Sequence, residues 1–331
     1  MNGRARRRLR LARYWIHAGD LDEAAVHARH ALRLALRGPD DLLADAAVTA
    51  ARIERDRDRP GAALEALRRA GSVLTDDVSR GRVLVEVADL HRRAARYPQA
   101  AAALSDARER LRTAAPLMRA ALSMMDGIVA KETGAFEAAA AHYAEAGRLL
   151  ALGGGTAGDD AALAHNLAGL AHARRSWVEA EGHARRAVAL RRADRGSSTV
   201  DVAQDVAVLG AALAGQRRFD EARALFHEAM RACARAHPPR RYEIAVHLHN
   251  LAGIDHVEGR TADAERRYRQ ALAVKEELLG PDHPEIAAIA HNLARLLRTP
   301  ESAALVRRAS AIVAERCPPT HPVAVALRRL G

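Results

Sequence analysis

The sequence of 331 residues is 49% hydrophobic and 28% charged but only 3% aromatic, so alanine and leucine must supply most of any core. Such a core suits close helix–helix packing and argues against a β protein. The formal net charge is +11, and all of the 52 basic residues except Lys131 and Lys275 are arginine. Cys233 and Cys317 are too few for a disulfide framework, and no uncharged apolar run approaches the ~18 residues of a membrane span.

The chain opens with Arg4, Arg6, Arg7, Arg8 and Arg10, and residues 1–19 contain no acid. No apolar segment of signal-peptide type follows, so a cytoplasmic protein is expected, with a transit peptide as the alternative. An alanine then recurs at Ala24, Ala63, Ala100, Ala139, Ala180, Ala222 and Ala264, in steps of 37 to 42 residues. A second alanine follows each after seven residues, from Ala31 to Ala271, and an apolar or aromatic residue follows several after four, as at Tyr143, Phe226 and Tyr268. Each alanine marks a second helix of a pair. The elbow before it holds a small or bulky turn residue, such as Gly19, Pro60, Tyr97, Phe136, Trp177, Phe219 or Gly259. Trp15 and Trp177 read as core. The units predicted are 5–38, 41–74, 77–113, 116–151, 159–194, 199–236, 241–280 and 284–317, within one solenoid over 1–331. The glycine-rich loop 152–160 lacks the Gly-Lys-Ser/Thr of a phosphate cradle and reads as a flexible joint, with Asp159 or Asp160 capping the next helix.

The clearest unit lies between His249-Asn250-Leu251-Ala252 and His291-Asn292-Leu293-Ala294, 42 residues apart, with the same four letters at His165 to Ala168. Its first helix is expected from Tyr242 to Glu258 and ends at Gly259, suited to a left-handed cap. The second starts at Thr261 as N-cap and breaks at Gly280-Pro281-Asp282-His283-Pro284. Pro318-Pro319-Thr320-His321-Pro322 copies that loop, and a terminal cap over 321–331 follows, with Arg328 and Arg329 facing water. A period of this size is the signature of a helical array.

Leu-Ala in the first helix, then Ala-x-x-x-aromatic and a further small residue in the second, resembles a tetratricopeptide repeat. The longer unit, with its Asn-Leu-Ala triplet, is similar to the repeats of the kinesin light chain family. HEAT repeats have a similar length, but the alternation of small and aromatic residues favours the tetratricopeptide reading. The resemblance implies an all-α fold, a right-handed α-α superhelix of about eight helix pairs plus a C-terminal capping helix, and a bacterial source.

No catalytic constellation is present: there is no Gly-x-Ser-x-Gly, His-Glu-x-x-His or Cys-x-x-Cys. His165 and His172, like His249 and His256, lie two turns apart, about 10 Å along a helix, too far to share one zinc. No metal, cofactor or enzymatic activity is expected. The resemblance implies that first helices line a concave groove. It would carry Asn166, Asn250 and Asn292, with His165, His249, His291, His172 and His256, and these asparagines either grip a peptide backbone or brace a neighbouring helix. The same phasing adds Arg52, Arg82, Arg93 and Arg295, together with Arg6, Arg10, Arg13, Arg55, Arg92 and Arg298. Asp45, Asp56, Glu86 and Asp89 partly offset them. The expected function is a scaffold or adaptor holding an extended, acidic protein segment. The alternative is a peptide- or ligand-sensing regulatory module of a bacterial signalling or transcription system. Nucleic-acid binding, suggested by the charge, is third, since few aromatics are free to stack on bases.

Overall fold

The computed structural model describes residues 2–194, 196–297 and 299–328. Arg298 and the expected cap residues Arg329 to Gly331 lie outside the described residues. Seventeen helices and no strand are found among the described residues. They form antiparallel pairs: α1 (Asn2–Ala18) with α2 (Leu21–Ala35), α3 (Asp40–Asp56) with α4 (Pro60–Gly71), α5 (Asp77–Arg93) with α6 (Tyr97–Arg110), and α7 (Pro116–Glu132) with α8 (Phe136–Gly153). Then come α9 (Ala157–Ala173) with α10 (Trp177–Ala193), α11 (Thr199–Gly215) with α12 (Phe219–Arg235), α13 (Arg241–Val257) with α14 (Thr261–Leu279), and α15 (Pro284–Leu296) with α16 (Pro300–Arg316). The last helix, α17 (Pro322–Arg328), packs on α15 and α16. Each odd-numbered helix also packs on the next odd-numbered one, so these helices make the inner layer of an all-α solenoid.

The small residues explain the pairing. Ala24, Ala63, Ala100, Ala139, Ala180, Ala222 and Ala264 are all 0% exposed, and so are the seven alanines that follow them. With only a methyl group at the crossing, the two helix backbones approach closely, and the larger side chains interdigitate on either side. Glycine continues the pattern: a Cβ at Gly127 would lie 2.4 Å from the Tyr143 ring, and one at Gly215 would lie 2.4 Å from Trp177. Trp177 is thus packed as expected. In the eighth pair Ser302 takes the alanine position, and its hydroxyl donates to the Ala294 carbonyl at 2.7 Å.

The seven elbows share one geometry. One residue in each is left-handed: Gly19, Asp58, Ala95, Gly134, Arg175, Arg217 and Gly259. The following N–H returns to the carbonyl five residues earlier, as in Asp20 to Trp15, Arg96 to His91 and Arg260 to Asp255. This closes the helix end and starts the return helix in a fixed direction. Two cap expectations are corrected. Thr261 is not an N-cap but the first residue of α14, after Arg260. In the loop 152–160, Thr156 is the N-cap and Asp159 completes a capping box three residues on, which satisfies two backbone N–H groups reciprocally.

Candidate functional site

The solenoid winds far enough for its C-terminal loops to touch its N-terminal elbows. The His237 backbone donates to the Gly19 carbonyl at 2.9 Å, and the His237 carbonyl accepts from Leu21 N–H at 2.6 Å. Arg240 donates to the Asp56 carbonyl at 2.5 Å. The other two contacts use histidines that precede proline. His283 Nδ1 accepts the Glu285 N–H, capping α15, which leaves Nε2–H to donate to the Arg93 carbonyl at 3.0 Å. His321 Nδ1 accepts the Val323 N–H in the same way, and its Nε2 lies 3.3 Å from the Tyr97 hydroxyl. Thr320 adds a bond to the Thr133 carbonyl at 2.6 Å.

Where the two ends of the winding meet lies a cavity of about 590 Å³, within the range of small-ligand pockets. Its walls come from the C-terminal ends of α3, α5, α7 and α9 and from the N-terminal ends of α13, α15 and α17. Charges match the helix ends: Arg55, Arg92, Arg93 and Lys131 sit where backbone carbonyls accumulate, and Glu243 and Glu285 where N–H groups do. Most of these charges are paired across repeats. Asp89 takes Arg55 at 2.9 Å, Arg92 at 2.6 Å and Arg93 at 3.1 Å. Arg92 also reaches Glu132 at 2.5 Å, and Arg240 holds Asp56. Burial alone would raise the Asp89 pKa, but the three guanidiniums hold it well below the usual range. Glu285 is likewise raised by burial and more strongly lowered by Lys275, His283 and the Tyr242 hydroxyl, to about 2.

Like Asp58 and Glu243, Lys131 has no such partner among the described residues. Its ammonium points into the cavity beside Gly169, where an added Cβ would lie 3.3 Å from Nζ. It makes no ion pair or hydrogen bond with a described residue, and burial lowers its pKa, with Glu132 opposing and Arg92 adding to the shift. The chain's other lysine, Lys275, pairs with Glu285 and lies 5.1 Å from the Tyr242 ring, two residues of the cavity wall.

Of the residues singled out from sequence, Arg93 lines this cavity, and so do Arg55, Arg92 and Asp56. Arg52 and Arg82 line a second one, of about 450 Å³, between α1, α3, α5 and α7. There they pair with Glu86 and Asp45, and Arg13 shares Asp45. His165 holds the buried Asp205 at 2.7 Å, and Asn166 donates to the Ala162 carbonyl of its own helix at 3.0 Å. Asn292 reaches His249 Nε2 at 3.2 Å, and His249 stands edge-on to Tyr268. Asn250 is half-buried on α13. His256 and the buried His291 share the neighbouring charge of Arg295, which adds to burial in lowering both pKa values. His172 stands edge-on to Trp177, 5.0 Å between ring centres. Sequence reasoning missed Lys131, Tyr242, Glu285 and the two histidines. The signals were there: two lysines among so many arginines, and His-Pro repeated at 237, 283 and 321.

The tetratricopeptide repeat family model matches residues 202–277 and 243–315. No curated protein matches the sequence. Among solved structures, a Rap protein complexed with Competence and Sporulation Factor is similar over 100% of this chain and 97% of its own, at 14% identity and a TM-score of 0.66. NprR in complex with its cognate peptide NprX is similar over 87% of this chain and 82% of its own, at 12% identity and a TM-score of 0.66. The apo form of the quorum sensor NprR from B. thuringiensis covers 87% of this chain and 79% of its own, at 11% identity and a TM-score of 0.57. At such identities the likeness is one of fold. Helix pairs crossing on alanine run through the whole solenoid, and those over residues 202–315 match the tetratricopeptide repeat.

Proposed function

We propose that the chain is a non-catalytic binding module that takes an extended peptide, or a segment of a protein, into the cavity between the inner helices α3 to α9 and the last helices α13 to α17. The observation that carries this reading is Lys131: a half-buried ammonium in the cavity wall, without an ion pair among the described residues, gains one from an incoming carboxylate. The inner helices α3, α5 and α7 succeed one another at roughly 8–10 Å spacing, which leaves room for about five extended residues between α3 and α7. The acidic preference expected from the groove arginines narrows to a single acidic group, because Arg52, Arg82, Arg92 and Arg93 already have carboxylate partners. That group is a side chain or a free C-terminus. The fold shared with NprR in complex with a peptide supports a regulatory adaptor of this kind.

The test is capture. The protein is purified from its source cell, bound peptides are eluted and identified by mass spectrometry, and each is resynthesised for calorimetry. Binding is expected to weaken at least tenfold with Lys131→Met. With only two lysines, the labelled side-chain signals are assignable, and the Lys131 signal should move on binding. Peptides that bind wild type and Lys131→Met equally would refute the reading.

A further inference from the structure

A second surface lies away from the cavity, on the outer face of the first helix pair. Helix α1 buries Ala5, Leu9 and Ala12 against α2 and α3. The opposite face carries Arg7, Arg10 and Tyr14, spaced three and four residues apart, and all three are exposed, Tyr14 by 61%. Arg4 flanks this stripe on the side of α2, where Arg33 and, just past the helix end, Arg37 are also exposed. The start of α1 meets the end of α2, as the proximity of Asn2 to Gly38 confirms. Residues 2–39 hold nine arginines and three acids, so they carry +6 of the chain's +11. The three acids, Asp20, Asp22 and Glu23, sit at the elbow, at the far end of the pair, where Asp20 caps α2 and Asp22 pairs with Arg57. Arg4, Arg7, Arg10, Arg33 and Arg37 have no acidic partner among the described residues, unlike Arg6 on Asp41 and Arg13 on Asp45.

This arrangement works against the helix that bears it. The first turn of α1 has no acid and holds Arg4, where unsatisfied N–H groups already accumulate positive charge, and Arg6, Arg7 and Arg8 follow in the next turn. Cations so placed oppose the helix dipole and destabilise the end of the helix. Nearby His30 has its pKa lowered by burial and then by Arg8, Arg33 and His27. A rule broken locally without a compensating contact in the fold points to a partner.

We infer that the outer face of α1 and α2 binds the phosphate backbone of duplex nucleic acid, without reading its sequence. Arg4 to Arg10 span about 9 Å of helix at ~1.5 Å per residue, against ~3.4 Å of axial rise per phosphate on one strand, so the stripe reaches about three phosphates. Guanidinium groups match phosphate oxygens in bidentate fashion. A single exposed aromatic, Tyr14, offers a hydroxyl to a phosphate but no row of stacking platforms, which favours a duplex over a single strand. An anionic membrane is the poorer partner, because the apolar stripe of α1 is already buried in the protein.

The experiment uses the full chain and a fluorescent 20-base-pair DNA of mixed sequence, with binding followed by anisotropy from low to moderate salt. The triple change Arg4→Gln, Arg7→Gln, Arg10→Gln should flatten the slope of log affinity against log salt by about 2.7, at ~0.9 for each phosphate no longer neutralised. A charge-matched triple elsewhere, Arg186→Gln, Arg231→Gln, Arg235→Gln, should leave the slope near that of wild type, since these exposed residues lie on α10 and α12. Circular dichroism keeps folding out of the comparison. No binding to the duplex, equal losses in both triples, or equal binding to polyglutamate would each overturn the inference. The readout is independent of the cavity, so its failure leaves the peptide reading standing.

Discussion

His247 is a buried base whose titration should be visible in the stability of the whole chain. Its ring is 3% exposed, packed beside Phe226 and 3.9 Å from the Cys233 sulfur, and its Nδ1 has no partner among the described residues. Burial lowers its pKa from 6.5 to about 4. The folded value lies below the unfolded one, so the unfolded chain binds the extra proton. The stabilisation is therefore complete above pH 6.5 and is lost as the pH falls towards 4. Across that window one such histidine tilts stability by about 1.4 kcal/mol per pH unit, or about 3 kcal/mol in all. His249, lowered by burial and by Lys275 against the opposing Glu285, and His321, lowered by burial and by His283, also reach about 4. Three together give about 4 kcal/mol per pH unit, a large share of the ~5–15 kcal/mol that holds a typical domain. The paired carboxylates enter later: the Glu285 contribution disappears only between pH 4.5 and about 2. Urea unfolding from pH 7 to 5 measures the slope. His247→Leu should flatten it by about 1.4 kcal/mol per pH unit, with stability at pH 7 equal to or above wild type, since an unpartnered polar atom is removed. An unchanged slope in His247→Leu would refute the argument that this ring is kept neutral by the fold.

Two further outcomes test the architecture. Ala222→Leu and Ala264→Leu, both at fully buried crossings, should each cost about 1–3 kcal/mol by overpacking, and thermal melts unchanged in both would show that the helices do not cross on these residues. Arg240→Ala removes the charged donor that ties the α13 end of the solenoid to Asp56, so stability should fall by about 1.5–3 kcal/mol. The radius of gyration in small-angle scattering should also rise, and a molecule of unchanged size and stability would mean that the closure does not depend on this link.

Local chemistry made the repeats legible. The alanine and aromatic positions recur at helical spacing, and a helix pair needs only neighbours in the chain to bury them. Ala24 through Ala264 are buried as read, and the elbows fall where the turn residues stand. The left-handed residues at Ala95, Arg175 and Arg217 were not legible, because nothing in those side chains asks for that conformation. They adopt it because the return helix must dock, and docking outweighs a cost of about 1–2 kcal/mol per residue. The groove arginines show the same limit. Phasing placed Arg52 and Arg82 on the inner helices, but only the tertiary structure matched each with a carboxylate on a neighbouring repeat. The cavity is more remote still. Tyr97 and His321 are 224 residues apart in the chain, and their meeting depends on the rotation added by every repeat between them, a sum to which each unit contributes little and no motif contributes alone. Lys131 is conspicuous in the sequence only as one of two lysines; that it lines a cavity closed by the last helices is decided by how far the solenoid winds.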